Sequence, residues 1–202
     1  FTNIKMETFQ KIDLKIFEIL NSLAGKVTVI DEIALIFAND YFVPVSIGLI
    51  LLFHWIGFAN TEVKVSSQRH VLKAIIIMLI ANAFILLVNQ ILFRERPFVS
   101  NDVNLLFYMP TDSSFPSNAC AGSIGLALGF YSRIWTKTFV SIFTLAALMS
   151  LSRIYVGVHY PGDILGGFII SIISYYIGNY IWCQSKSIQL RSLKLLENLN
   201  IA

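Results

Sequence analysis

Long apolar segments, separated by shorter polar ones, make up most of this chain. Five of them approach or reach the roughly 17 to 25 residues that a helix needs to cross a bilayer. They are Tyr41–Ala59, Val71–Phe93, Ala119–Trp135, Thr138–Val156 and Ile164–Cys183. Each is predicted to be a helix because lipid cannot hydrogen-bond a free backbone. The third is short and contains glycine, so the pattern does not define its ends.

The first 40 residues follow a different pattern. In IDLKIFEILNSLAG, apolar and charged residues alternate as in an amphipathic helix that ends near Gly25. Such a helix is expected to lie along the membrane surface. The next apolar stretch, Val27–Ala38, contains two acidic residues and is too short to span. We therefore predict one all-α integral membrane domain with three parts: interfacial helices (1–40), a five-span transmembrane bundle (41–183) and a tail (184–202).

The composition also indicates a membrane protein. Of the 202 residues, 56% are hydrophobic and only 13% are charged, whereas a soluble domain has about 25% charged residues. A soluble fold of this size could not bury so much apolar surface. The net charge of +3 is too small to indicate a nucleic acid partner. Cys120 and Cys183 lie in or beside apolar segments, which is typical of small apolar residues rather than of a disulfide or a metal site.

Three polar stretches interrupt the apolar pattern. They are RERPF (Arg94–Phe98), FPSNA (Phe115–Ala119) and SRIYVGVHYPGD (Ser152–Asp163). With five spans, all three lie on the same side of the membrane as the N-terminal helices. The other side has eight Lys and Arg residues, with only Glu62 and Glu197 as acids, and the side of the polar stretches has seven. Of those seven, Arg96 and Arg153 are candidate functional residues and the four lysines lie on or beside the amphipathic segment. The positive-inside rule therefore predicts that the polar stretches face outside and that the tail is cytoplasmic.

Each polar stretch has an ordinary structural explanation when it is considered alone. RERPF suits a helix end that snorkels to the interface and stops at Pro97. In FPSNA, Ser117 or Asn118 suits the N-cap of the third apolar helix. HYPGD suits a turn followed by a helix start, with Asp163 near the helix N-terminus.

Considered together, the three stretches indicate phosphate chemistry at a membrane surface. Arg153 lies near the membrane end of a helix, where a charge is costly and usually functional. Two arginines, a serine hydroxyl and free helix N-terminal N–H groups can form an oxyanion site. His159 with Asp163 four residues later resembles an oriented nucleophile or base. His54 and His70 fall on the opposite side and are expected to be interfacial or solvated.

These residues also match a known pattern. The chain resembles the type 2 phosphatidic acid phosphatase superfamily of integral membrane lipid phosphatases. Its signature reads Lys-x6-Arg-Pro, then Pro-Ser-(Gly/Asn/Asp)-His, then Ser-Arg-x5-His-x3-Asp. The third part is complete over Ser152–Asp163, and the first keeps Arg96 and Pro97 but has Asn89 in place of the lysine.

The second part of the signature lacks its histidine. It keeps Pro116, Ser117 and Asn118, but Ala119 stands at the histidine position. Because the other catalytic elements are present, we expect an engineered His-to-Ala change, with a naturally inactive relative as the alternative. The resemblance covers Val71 to Cys183. Within the superfamily the chain looks most like bacterial undecaprenyl-diphosphate phosphatases of the bacitracin-resistance type.

The resemblance implies a role for each residue of the signature. His159 is the nucleophile that forms a phosphohistidine, and Asp163 orients its ring. Arg96 and Arg153 clamp the phosphate oxygens. The residue at 119 donates a proton to the leaving group and then activates water, and Ala119 can do neither. The other implied phosphate-binding residues are Pro97, Ser117, Asn118, Ser152 and Arg94, of which Arg94 has lipid headgroups as its alternative partner.

The substrate implied by this resemblance has a phosphate at the interface and a tail in the bilayer. Undecaprenyl diphosphate, converted to undecaprenyl phosphate for cell-wall carrier lipid recycling, is the first choice. Phosphatidate and phosphatidylglycerophosphate are alternatives, as is an anion- or lipid-phosphate-binding or permeation protein. No metal or other cofactor is implied, because there is no carboxylate cluster and a single histidine cannot hold zinc. The sequence predicts no particular oligomeric state.

Overall fold

The computed structural model describes residues 2–185, with side chains from Thr8 onward. This part of the chain folds into eight helices and contains no strand, which confirms the predicted all-α class. The helices are α1 (Thr2–Asn21), α2 (Thr28–Ala38), α3 (Phe42–Ile56), α4 (Thr61–Ile91), α5 (Pro97–Ser100), α6 (Asn118–Gly129), α7 (Thr136–Tyr155) and α8 (Pro161–Gln184). The predicted tail lies outside the described residues, apart from its first two.

Helix α6 lies at the centre of the bundle, in contact with α4, α7 and α8. Its sequence, NACAGSIGLALG, is rich in small residues, which allow neighbouring helices to approach closely. A Cβ added to Gly129 would lie 2.3 Å from Ala74 Cα in α4, and one added to Gly167 in α8 would lie 2.6 Å from the Ser117 carbonyl oxygen. The short helix α6 therefore forms the packing centre for its longer neighbours.

Within residues 2–185, three helices are long and apolar enough to cross a bilayer: α4, α7 and α8. The pair α2 and α3, bent by 55°, counts as a fourth if it is taken as one broken span. Helix α6 has 12 residues and is about 18 Å long, against a hydrocarbon core of about 30 Å. The predicted third span is shorter than expected because the helix gives way to a turn after Gly129, where Ser132 Oγ accepts from Trp135 N at 3.2 Å. The five-span count is thus not confirmed.

Helix α1 has two contrasting faces. Asp13, Phe17 and Asn21 are buried against the rest of the protein, whereas a row of large apolar side chains points outward. The outward row consists of Phe9, Ile12, Ile16 and Ile19, and Leu23 in the turn after the helix is exposed as well. A row of this kind suits contact with the apolar side of a membrane surface. The helix ends at Asn21, and a turn with Gly25 at φ +79° follows it.

His54 corrects an expectation from the sequence, because it is buried rather than interfacial or solvated. Its Nδ1 lies 2.7 Å from Ser67 Oγ and its Nε2 lies 2.9 Å from Thr138 Oγ1. The two hydroxyls come from α4 and α7, so His54 joins three helices. Hydroxyl partners that lie 13 and 84 residues away could not be identified from the local pattern.

Candidate active site

A cavity of about 650 Å³ lies where the three polar stretches meet. Arg96, Arg153 and His159 form part of its polar wall, together with Asn118 and Ala119 at the start of α6. The other wall is mostly apolar and comes from α3, α4, α6 and α7. Its apolar residues are Pro44, Ile47, Met78, Ile85, Leu86, Leu126 and Met149. The lining thus combines two arginines and their carboxylate partners, Asp112 and Asp40, with an apolar wall.

The chain reverses after α7 to bring His159 back beside Arg153. The reversal uses Gly157 at φ +92°, a left-handed conformation that favours glycine. The backbone N–H groups of Val158 and His159 both donate to the Arg153 carbonyl, at 3.1 and 3.3 Å. These bonds fix His159 in the loop between α7 and α8.

The ring of His159 is buried, and its two nitrogens meet different neighbours. Nδ1 lies 3.4 Å from Asp163 Oδ2 and 3.5 Å from Ser114 Oγ. Nε2 lies 3.4 Å from Arg96 Nη1. Because Arg96 lines the cavity and Asp163 does not, Nε2 is the nitrogen on the cavity side. A proton on Nδ1, donated to Asp163, leaves the Nε2 lone pair available.

Asp163 is held rigidly at the start of α8. The backbone N–H of Tyr160 donates to its Oδ2 at 2.8 Å, which closes a capping box, and Pro161 occupies the first helical turn. Ser114 Oγ donates to the same oxygen at 2.5 Å, and Arg94 Nη1 donates to Oδ1 at 2.7 Å. Both carboxylate oxygens are therefore occupied, and the ring of His159 meets a fixed partner.

The surroundings of His159 lower its pKa. Burial is the largest cause, and the positive charges of Arg96 and Arg153 act in the same direction, while the hydrogen bond with Asp163 opposes them. The ordinary pKa of histidine is about 6.5, so the ring is neutral at neutral pH. A neutral imidazole is the form that can act as a nucleophile.

The two cavity arginines are buried and pair with carboxylates that are more exposed. Arg96 Nη2 lies 2.8 Å from Asp112 Oδ1, and Arg96 Nε donates to the Asp112 carbonyl at 3.1 Å. Arg153 Nη2 pairs with Asp40, while the Arg153 Nε–H is buried without a hydrogen-bond partner among the described residues. The side chains of Asp112 and Asp40 are 68% and 38% exposed, so both can give way to another anion.

Several residues predicted to bind phosphate lie away from the cavity wall. Ser117 is fully buried, and its Oγ accepts from Cys120 N at 3.4 Å, so it serves as the N-cap of α6. Pro97 and Ser152 are buried outside the cavity lining. Arg94 pairs with Asp13 and Asp163 instead of facing the cavity.

The sequence did not identify three carboxylates and one hydroxyl of the site. They are Asp13, Asp40, Asp112 and Ser114, which contact Arg94, Arg153, Arg96 and His159 respectively. Ser114 and Asp112 lie in the polar stretch just before FPSNA. Their nearness to that motif is the one feature of the sequence that could have placed them in the site. Asn89, at the lysine position of the family signature, lines the cavity.

Comparisons with known proteins match the part of the chain that contains this cavity. The profile of the PAP2 superfamily matches residues 70–186, which contain all three polar stretches. The chain is 33% identical over 162 residues to undecaprenyl-diphosphatase BcrC of Bacillus subtilis, and the match covers 80% of each chain. It is 24% identical over 170 residues to bacitracin transport permease protein BcrC of Bacillus licheniformis, covering 83% of this chain and 79% of that protein.

A solved structure has the same fold. The crystal structure of LpxE from Aquifex aeolicus superposes with a TM-score of 0.65 at 25% sequence identity. The superposition covers 83% of this chain and 94% of that one. The shared region therefore extends beyond the matched profile into the N-terminal part of the chain.

Proposed function

The chain belongs to the PAP2 superfamily and is a multi-pass membrane protein, and from this premise we propose that it is a lipid phosphatase built to act on undecaprenyl diphosphate. The product would be undecaprenyl phosphate, the carrier lipid that returns to cell-wall synthesis. One observation carries the proposal: Nε2 of a buried, neutral histidine lies beside Arg96 in a cavity that also has an apolar wall. Phosphatidate and phosphatidylglycerophosphate remain the alternative substrates.

The two arginines of the cavity suit a terminal phosphate. Arg96 and Arg153 present planar groups that can bind two phosphate oxygens each, and a dianion can replace Asp112 and Asp40 as their partner. The unpaired Nε–H of Arg153 gives one further donor. The N-terminus of the 12-residue helix α6, at Asn118, adds backbone donors and a positive dipole end.

The reaction proceeds in two steps. His159 Nε2 attacks the terminal phosphorus, a nitrogen–phosphorus bond forms, and the bond to the bridging oxygen breaks with its electron pair leaving on the lipid phosphate. Asp163 stabilises the positive charge that develops on the ring. In the second step water attacks the phosphorus and loses a proton to the solvent, while the nitrogen–phosphorus bond breaks with its electron pair returning to Nε2. Inorganic phosphate leaves and the neutral histidine is restored.

Ala119 limits this chemistry. It lines the cavity in the first turn of α6, where the family signature has a histidine. A methyl group can neither protonate a leaving group nor activate water. Because lipid phosphate is a stable anion, the first step can proceed slowly without acid assistance, but hydrolysis of the phosphohistidine has no base. We therefore propose that the present chain turns over poorly.

We also propose how the protein is oriented in the membrane and how the chain divides into parts. The cavity and the helices of residues 1–40 would face the outside of the cell membrane, with the bundle spanning 41–183 and the tail cytoplasmic. The Lys and Arg counts of the two faces are nearly even, eight opposite the polar stretches and seven beside them. The support is that Arg96 and Arg153 of the seven have proposed roles in the cavity and the four lysines lie on or beside the amphipathic segment, whereas the eight have no such role. An outward cavity would meet a substrate whose diphosphate lies in the outer leaflet.

A second candidate function is a protein that binds or transports an anion or lipid phosphate without hydrolysing it. The observation in its favour is Ala119 itself, because the arginines remain while the acid–base group is missing. The name of the Bacillus licheniformis relative is of this class. A protein that only binds phosphate needs the two arginines but does not need a neutral His159 in contact with Asp163. The contact between His159 and Asp163 therefore favours the phosphatase.

Phosphate release in detergent micelles separates the two candidates, because transport is impossible there. With undecaprenyl diphosphate, Ala119→His should raise turnover by about 10²–10⁴-fold, the usual contribution of general acid–base catalysis. His159→Ala in that background should abolish it. An unchanged rate after Ala119→His would contradict the assignment of position 119 and favour the binding protein.

A further inference from the structure

A pair of residues outside the cavity extends the contacts of His159 toward the N-terminal helix. Arg94 donates from Nη1 to Asp163 Oδ1 at 2.7 Å and from Nη2 to Asp13 Oδ2 at 2.6 Å. Its guanidinium carbon lies 3.9 Å from the centroid of the Tyr160 ring. One planar cation thus bridges a carboxylate of α1 and the carboxylate that contacts the nucleophile.

Asp13 is buried within this group of contacts and does not lie on the protein surface. Its side chain is only 2% exposed, although the helix around it carries an outward apolar row. The backbone N–H of Gly162 donates to Asp13 Oδ1 at 2.7 Å. A Cβ on Gly162 would lie 2.8 Å from Asp13 Oδ2, so the carboxylate approaches the start of α8 at a distance that suits glycine alone.

We propose that Asp13 and Arg94 are positioning residues for His159, and that α1 is therefore part of the active site although it lies outside the family profile at 70–186. The inference rests on the proposed function in taking His159 as the nucleophile. Neither Asp13 nor Arg94 lines the cavity, so their side chains act through Asp163 and not on the substrate.

The physical reason lies in the rotation of the Asp163 carboxylate. Arg94 occupies Oδ1, which leaves Oδ2 directed at His159 Nδ1. Asp13 holds Arg94 from its other side, so the guanidinium cannot turn toward Oδ2 and compete with the ring. While Asp163 Oδ2 faces His159 Nδ1, the proton stays on Nδ1 and the Nε2 lone pair faces the cavity. If that contact between Asp163 and His159 is lost, both tautomers of His159 become populated and fewer molecules present a nucleophile.

Histidine tautomers can be measured without turnover. In the chain as it stands, labelled with ¹⁵N-histidine in detergent micelles, the His159 signals are assigned by their loss in His159→Gln. We expect the Nδ1–H tautomer in the parent, and a mixture in Arg94→Gln and in Asp13→Asn. Glu18→Gln is the matched control, because it removes an exposed carboxylate from the same helix. A parent-like tautomer in both Arg94→Gln and Asp13→Asn would overturn the proposal.

Kinetics in the Ala119→His background provide the second readout. A misplaced nucleophile costs on the order of 10²-fold in rate, so kcat should fall by about that factor in Arg94→Gln, with KM little changed. The double variant with Asp13→Asn should be no slower than Arg94→Gln alone, because both changes break one chain of contacts. Additive losses, or a change confined to KM, would contradict a positioning role.

The outcomes separate this inference from the proposed function. If Ala119→His releases no phosphate, the phosphatase proposal fails, and the His159 tautomer still decides whether Asp13 and Arg94 position the ring. If Arg94→Gln fails to fold, Asp13→Asn provides the decision, because asparagine keeps the shape and an acceptor for the Gly162 N–H while it removes the charge.

Discussion

The guanidinium of Arg96 and the imidazole of His159 meet at the cavity wall, with Nη1 3.4 Å from Nε2. Under the proposed function, this contact places the cation that would bind phosphate beside the nitrogen that would attack it. A phosphate oxygen held by Arg96 would bring its phosphorus within reach of that nitrogen. The same positive charge lowers the pKa of His159, so in the proposed mechanism one neighbour would both bind the substrate and keep the nucleophile neutral.

The first prediction concerns the titration of His159. Because burial and the two arginines lower its pKa, its titration midpoint by ¹⁵N NMR should lie below about 6.5. Arg96→Gln removes one of those charges and should move the midpoint upward. Phosphate release by the Ala119→His form should persist through neutral pH and be lost as the pH falls through that midpoint, since protonated Nε2 has no lone pair. A midpoint above 6.5 in the parent would contradict this account.

The second prediction uses the leaving group. Lipid phosphate leaves as a stable anion, whereas a phosphate monoester leaves as an alkoxide that needs a proton. The chain with Ala119 should therefore accumulate phosphohistidine from polyprenyl diphosphate faster than from phosphatidate. Mass spectrometry after rapid quenching measures the modification, and His159→Gln should remove it. Equal accumulation from both substrates would show that the missing acid does not limit the first step.

The third prediction concerns competition at Arg96. Asp112 pairs with the guanidinium that we propose binds the substrate phosphate, so Asp112→Asn should tighten the binding of inorganic phosphate. Arg96→Gln should weaken it by about 10- to 100-fold, the usual effect of losing hydrogen bonds to a charged group. Asp102→Asn removes another exposed acid from the same loop and should have no effect. Calorimetric titration with phosphate measures all three variants, and weaker binding in Asp112→Asn would refute the competition.

The fourth prediction tests the packing around α6. Gly129→Ala should lower stability by about 1–3 kcal/mol, the typical cost of overpacking, because its Cβ would lie 2.3 Å from Ala74 Cα. Gly48→Ala is the matched control in α3, where nothing lies within 4 Å of the added Cβ. Thermal unfolding in detergent compares the two variants. Equal melting temperatures would show that α4 and α6 are not as closely packed as described.

The fifth prediction concerns orientation in the membrane. Single cysteines at Thr111→Cys, in the exposed loop before FPSNA, and at Ser187→Cys, in the tail, can be labelled in intact cells after Cys183→Ser removes an exposed native thiol. An impermeant reagent should modify the first and spare the second. The reverse pattern would place the cavity on the cytoplasmic side.

Local sequence signals determined the fold class and the three parts of the site. Runs of apolar residues indicate membrane helices because lipid forces the backbone to pair with itself. The spacing from Ser152 to Asp163 indicated a histidine with a nearby carboxylate, and the two residues do lie 3.4 Å apart at Nδ1 and Oδ2. Contacts of this kind join residues a few positions apart, so a motif can report them. The length of the third apolar helix could not be predicted, because a turn after Gly129 ends it within the apolar run.

Only the tertiary structure decided which polar groups face the cavity. Arg94 and Arg96 are the same residue type two positions apart, yet Arg96 lines the cavity and Arg94 pairs with Asp13, 81 residues away. Their roles depend on where α1 and the loop at Asp112 pack. A sequence pattern reflects interactions between residues that are close along the chain. A buried charge pairs with the opposite charge that is buried beside it, and that group can come from a distant part of the chain.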